Sequence, residues 1–377
     1  MYMEPENVRT HFTVTLSSRE QWIYFLLIGC LSMLYAELFS GASQLWFFNV
    51  WSLLVTFPLY MVHVLFFFNL ALRMKKTSPV HLYLFGVLFG MYESWITQVL
   101  WIGYSAEGPM VGTFLGIGIG EFLALVFFWH PILSFMLPIL VFQLLILSVE
   151  SETPLIRRIL PSHIPFLMKT KSNQRYIYVI YVIGSAFMAV NYQGDLLLAL
   201  AALGGTYTLI YLLYRKARTY HHFSVYSLRV QGKGIKIMVI YMIALYSIMF
   251  FGYGYYGGRI PGYLPIATTI VLYILFGWVV KSSNPAAESV DIPLSLAEHL
   301  VNMRDYRKLV CFNILTACGF SVVFLGLPSP LFVVFMFFYF TISVVGIYIF
   351  YKAVRLRNGQ TTECLKNKYN TLIEAYT

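Results

Sequence analysis

The sequence predicts an all-α, polytopic integral membrane protein with about ten transmembrane helices plus one broken or re-entrant apolar segment near 131–149. Three observations predict it. Only 11% of the 377 residues are charged and 59% are hydrophobic, whereas a soluble domain carries about a quarter charged residues to face water. The apolar residues fall in runs of about 20, which at 1.5 Å per residue match a hydrocarbon core ~30 Å thick. Those runs lack the apolar/polar alternation in ~10-residue pieces that a membrane barrel needs. Helices satisfy their own backbone polar groups in lipid, so helices it must be.

The apolar segments are 21–41, 45–72, 80–103, 110–130, 131–149, 176–193, 195–214, 237–256, 263–280, 309–326 and 330–351. Ahead of them, 1–20 is a polar lead of mixed charge. Glu37 interrupts the first run, which makes it a poor signal-peptide core, so that helix is expected to be retained. Eleven segments are visible, and charge decides how many cross. With a cytoplasmic N-terminus and 131–149 not crossing, 25 of the 26 Lys and Arg residues lie in the cytoplasm and only Arg259 outside, as the positive-inside bias requires. The arrangement in which 131–149 crosses leaves six basic residues outside. His130-Pro131 and Pro138 agree with a break there, because proline lacks the N–H and clashes with the preceding turn.

The chain then divides near residue 150. An N-terminal bundle (21–149) of four crossings plus the broken segment is followed by a basic cytoplasmic loop, 150–175, with Arg157-Arg158. A C-terminal bundle of six helices occupies 176–351, with further cytoplasmic loops at 215–236 and 281–308. An interfacial helix is expected near 296–308, where Ser295 and Glu298 have capping-box spacing. Residues 352–377 are a basic cytoplasmic tail. Asp195 is expected to cap the helix after it. Gly252–Arg259 is expected to form an outer turn with interfacial tyrosines. Cys30, Cys311 and Cys318 lie in apolar runs and read as small packing residues.

Net charge is +10, but the basic residues are spread over many loops, so positive-inside bias explains them and nucleic-acid binding is not expected. The bilayer is the first partner, with anionic lipid headgroups on the basic cytoplasmic face. No P-loop, no H-E-x-x-H, no G-x-S-x-G elbow and no c-type haem spacing occurs, so no nucleotide or haem site is expected and no cofactor can be assigned.

Three of the sixteen carboxylates lie inside apolar segments: Glu37, Glu93 and Glu121. Charge at membrane depth is costly and usually functional. Counted along their helices, Glu93 and Glu121 fall near the midplane on consecutive antiparallel segments, which predicts a pair sharing a proton or holding a cation. Gly86 and Gly90 lie on the face of Glu93. Gly112, Gly116, Gly120 and Ala124 form a small-residue seam that allows close approach. Asn49, Ser52, Thr56 and His63 make a polar stripe on the second segment. His130, before a proline, is expected to cap or sit at an interface.

Three readings follow. One is a transporter or permease, coupled to a proton or cation and carrying a small solute, with Glu93 and Glu121 as coupling groups, His63 as relay, Glu37 beside them, and Asn49 and Thr56 lining the path. The second is an intramembrane enzyme acting on a lipid or polyprenyl substrate. In it, any metal would sit between Glu93, Glu121 and His63. The third is a non-catalytic subunit or scaffold of a membrane complex. The first is favoured, which makes the chain more a carrier than an enzyme.

Overall fold

The computed structural model describes residues 17–104, 107–149, 158–220, 223–285, 290–291 and 299–357. It is helical throughout apart from short two-residue strands. We number ten helices: α1 (Ser18–Leu38), α2 (Ser52–Arg73), α3 (Pro79–Gly90), α4 (Ile119–Leu147), α5 (Lys171–Asn191), α6 (Leu196–Ala217), α7 (Lys233–Tyr256), α8 (Tyr263–Ser282), α9 (Met303–Gly326) and α10 (Pro328–Leu356). Eight of them, all but α3 and α5, are long and apolar enough to cross a membrane.

The helices alternate between two ends, and cross-contacts fix which loops share an end. At one end Gln21 donates to the Arg229 carbonyl, Asn69 bonds Leu228 and Val230, Lys76 donates to Val280 and Lys281, and Met168 pairs with Leu300. At the other, Asn191 donates to the Ser40 carbonyl and Thr268 to that of Leu115. The loops of this second end carry Arg259 as their single basic residue. The Lys76 ammonium sits on the last carbonyls of α8, where the helix dipole favours a cation.

The segment 131–149 is not a separate dip. It belongs to one 29-residue helix, α4, which is about 43 Å long at 1.5 Å per residue. The expected break is local: Phe122–Met136 is π-helical and contains Pro131. Proline lacks an N–H, and in i→i+5 bonding the carbonyl left without its donor is Val126 O; the neighbouring Phe127 O accepts from the Tyr83 hydroxyl at 2.6 Å. The wider π-helical turns thus carry the chain past Pro131 without a second helix.

Two neighbouring segments change accordingly. Residues 110–118, expected to be helical, form an antiparallel hairpin, Thr113–Phe114 with Ile117–Gly118. Its Gly112 and Gly116 have positive φ, so the small-residue seam survives in α4 only at Gly120 and Ala124. The real interruption lies in 80–103, where α3 stops at Gly90, Tyr92–Trp95 makes one further turn, and Val99–Ile102 another. Gln98, left-handed at φ 59°, bridges the gap by donating its buried amide to the carbonyls of Trp95 and Ile96.

The expected Ser295/Glu298 cap lies outside the described residues. α9 starts instead at Met303 on an Asn302 capping box. Asp195 caps α6 as expected, accepting from Leu198 N at 2.9 Å. Cys30 is buried, but Cys311 is exposed on α9 and so does not pack the core.

α1 and α4 form the core: 72% and 83% of their apolar windows are buried, against 28% or less for each of α7 to α10. α3 and α4 approach closest. A Cβ on Gly86 would lie 2.5 Å from Pro131 Cα, and one on Gly90 would lie 3.1 Å from Val126 Cα and 3.2 Å from His130 Cβ. Glycine therefore sets the distance between these two backbones.

One joint at the basic end is pH-sensitive. His163, buried between helices, accepts from the Gln143 amide at 2.7 Å and donates to the Thr77 carbonyl at 2.9 Å. Both ring nitrogens are used by the neutral tautomer, and burial pushes the imidazole down to about 4. An unfolded histidine protonates near 6.5, so the unfolded state gains its proton first as pH falls. This contribution is complete above pH ~6.5 and lost progressively towards pH ~4, a change on the order of 3 kcal/mol. Melting curves of wild type and His163→Gln between pH 7.5 and 4 should show the steeper acid decline in the wild type.

Candidate functional site

The site grows out of the Gly86/Gly90 contact. Because α3 and α4 touch there, the turn that follows α3 carries Glu93 directly against the middle of α4. His130, twelfth residue of that helix, places its Nε2 2.8 Å from Glu93 Oε1. Both side chains are buried. Glu93 Oε2 accepts from the Thr97 hydroxyl. On its other side His130 Nδ1 meets Ser134 Oγ at 2.9 Å, and the Ser134 carbonyl accepts from Ser32 of α1 at 2.7 Å. The pair is therefore oriented by polar partners from both sides, which a buried acid–base couple requires.

A second arm runs towards the Arg259 end. Glu37, in the π-helical last turn of α1, accepts from Tyr60 on α2 and from Ser43, each at 2.5 Å. The Tyr60 hydroxyl is 2.7 Å from that of Tyr92, the residue next to Glu93. The rings of Tyr60 and Tyr92 lie 6.3 and 4.9 Å from that of His130. Glu37, Tyr60, Tyr92, Glu93 and His130 thus form one polar cluster inside an aromatic cage.

Ser43 connects this cluster to an open cleft of about 710 Å³, lined by Ser43, Gln44, Asn49, Trp51, Ser52 and Thr56 among others. The segment between α1 and α2 builds its floor. Trp46 is pinned by a hydrogen bond to Thr206 at 2.9 Å and stacks on Phe57, and Asn49 caps Ser52 N at 3.0 Å. Asn49 and Thr56 are among the residues that line this cleft.

The expected Glu93–Glu121 pair is not formed. Helix α4 begins at Ile119, so Glu121 lies in its first turn, about 14 Å along the axis from His130. It accepts from Met110 N at 2.9 Å, and its other oxygen has no partner among the described residues. His63, though its ring lies 5.6 Å from that of Tyr92, hydrogen-bonds neither carboxylate. Its Nδ1 meets the Leu59 carbonyl at 2.7 Å and its Nε2 the Tyr246 hydroxyl at 3.0 Å, with the ring stacked on Phe89. The trio Glu93, Glu121 and His63 is consequently no metal site: among the described residues no three His, Cys, Asp or Glu side chains gather to hold a metal ion.

Residues 26–362 match the model of a family described as an uncharacterized membrane protein family. The chain belongs to that membrane protein family. A protein of Archaeoglobus fulgidus, described as an uncharacterized protein, is 40% identical over 146 residues, which cover 36% of this chain and 44% of that relative. The chain thus spans less than half the length of the relative it matches. No solved structure matches the chain.

Family membership and the apolar helices together make this an integral, multi-pass membrane protein. Within this member of the family, Glu37 and Glu93 lie in the polar cluster and Asn49 and Thr56 in the cleft, while His130, expected at a cap or interface, joins the cluster together with Tyr60 and Tyr92, which the sequence did not single out. A signal for His130 was present: Gly86 and Gly90 point at whatever α4 offers at mid-depth, and the histidine stands there once α4 is taken as a single helix.

Proposed function

We propose that the protein is a proton-coupled permease. Its cleft admits a small solute from the outer side, and the Glu37–Tyr60–Tyr92–Glu93–His130 path stores and moves the coupling proton. The basic end faces the cytoplasm, in keeping with the positive-inside bias. The observation that carries this reading is the run of contacts from a cleft-lining serine through Glu37 and Tyr60 to Tyr92, whose next residue, Glu93, forms the buried carboxylate–imidazole pair with His130. Ionisable residues at membrane depth are expensive and mark proton relays and substrate paths.

The chemistry is simple. A proton arriving on Glu37 passes to the Tyr60 oxygen while the Tyr60 proton passes to Tyr92 and the Tyr92 proton to Glu93. Glu93 then shares it with His130 Nε2. Afterwards Glu37 is ionised and accepts from Tyr60, the polarity that the Tyr60–Glu37 bond has here. Restoring Glu37 to its anion changes the charge facing Ser43, and through Ser43 the cleft is linked to the state of the pair.

Purified protein in liposomes containing a pH-sensitive dye tests this. An external acid pulse in the presence of the transported solute should acidify the lumen, and Tyr60→Phe, which removes one hydroxyl from the path, should slow the response roughly tenfold. Wild-type speed in the Tyr60→Phe protein would contradict the path.

A further inference from the structure

We infer that the cleft receives an uncharged, hydroxyl-rich headgroup of the sugar class. For its role in transport this rests on the permease reading, but the binding itself does not. The lining is the argument. Ser43, Gln44, Asn49, Ser52 and Thr56 supply hydroxyl and amide groups, and among the described residues no Asp, Glu, Lys, Arg or His lines the cleft. A charged ligand drawn from water needs a counter-charge or it forfeits its hydration. Arg259, the basic residue at this end, stands over the Tyr253 ring at 5.7 Å, and Glu37 lies behind Ser43.

Three aromatic side chains, Trp46, Phe48 and Trp51, complete the lining. Trp46 is held rigidly by its bond to Thr206 and its stack on Phe57, while Phe48 and Trp51 stand exposed at the mouth. A sugar ring offers an apolar C–H face bordered by hydroxyl groups. Flat aromatic surfaces beside a few fixed amides and hydroxyls match both features at once. A volume of about 710 Å³ is in the ordinary range for small-molecule sites and accommodates more than one ring. The rim continues into Val50, Leu53 and Leu54, all exposed, so the mouth borders the lipid as well as the outer water. The sugar can therefore arrive free or carried on a lipid.

The test uses the full chain in phosphatidylcholine nanodiscs, with tryptophan emission as the readout. Methyl glycosides of glucose, mannose and N-acetylglucosamine probe the free source. Dodecyl glycosides of the same sugars, added to the disc, probe the membrane source. A saturable change with either set, absent in Trp51→Phe and shifted at least about tenfold to higher concentration in Asn49→Ala, supports the sugar class. The responding set identifies the source. If Asn49→Ala melts below the wild type, Gln44→Ala on the exposed rim carries the same expectation. No saturable change with any glycoside, or saturation only with phosphatidylglycerol or another charged headgroup, overturns it. Liposome proton flux separates the two readings. Glycoside binding without Tyr60-dependent flux removes the permease and keeps the sugar site, and flux without glycoside binding does the reverse.

Discussion

Replacing Glu93 by Gln is expected to abolish solute-coupled proton movement, a loss of roughly 100-fold or more, in a protein that still folds. Glutamine keeps the volume and a hydrogen-bond acceptor for the Thr97 hydroxyl and can still face His130 Nε2. What it cannot do is take a proton from Tyr92 or stabilise a charged imidazole. Solute binding in the cleft lies on the far side of Glu37 and Ser43, so the lesion is in coupling. Glu121→Gln is the matched control. That carboxylate lies in the first turn of α4 against Met110 N, outside the path, and its flux should stay within about threefold of wild type. Initial rates of lumenal acidification in matched liposomes compare the two. Equal losses at both positions would restore the carboxylate pair that the fold separates.

The second large effect is on stability. Gly86→Val is expected to prevent folding, or to lower stability by about 3 kcal/mol or more. Even a Cβ at this position would lie 2.5 Å from Pro131 Cα, an overlap with backbone that no rotamer relieves. α3 would have to move off α4, which also withdraws Glu93 from His130 and the Tyr83 hydroxyl from the Phe127 carbonyl. Gly204, on α6, meets nothing within 4 Å where a Cβ would stand, so Gly204→Ala should melt like the wild type. Thermal unfolding in detergent, followed by size-exclusion chromatography, checks both.

Much of this fold is legible in the sequence, because lipid leaves so few options. Long apolar runs must be helices, and eight of the helices are long and apolar enough to cross. The errors come where the chain departs from a regular α-helix. Pro131 reads as a helix end, but the π-helical turns of Phe122–Met136 carry α4 through it. Merging two segments into one moves Glu121 from mid-depth to the first turn and moves His130 from a helix end to the centre. Hydropathy cannot see the hairpin at 113–118 either, since its Gly-rich sequence is as apolar as a helix. Glu93 and Glu37 are recognisable as costly charges at depth. Tyr60 and Tyr92 are not, because a tyrosine in an aromatic-rich chain looks like packing until a carboxylate is found at its hydroxyl.

The central claim is that Glu93 exchanges its proton with the outer cleft through Tyr60 and Tyr92. Infrared difference spectra of the carboxyl region after an acid jump on the outer side test it most directly, with Glu93→Gln and Glu37→Gln assigning the bands. The account predicts that both bands respond in the wild type, and that in Tyr60→Phe the Glu37 band still responds while the Glu93 band does not. A Glu93 band that responds unchanged in Tyr60→Phe, or one that answers only to acid on the basic side, would contradict it.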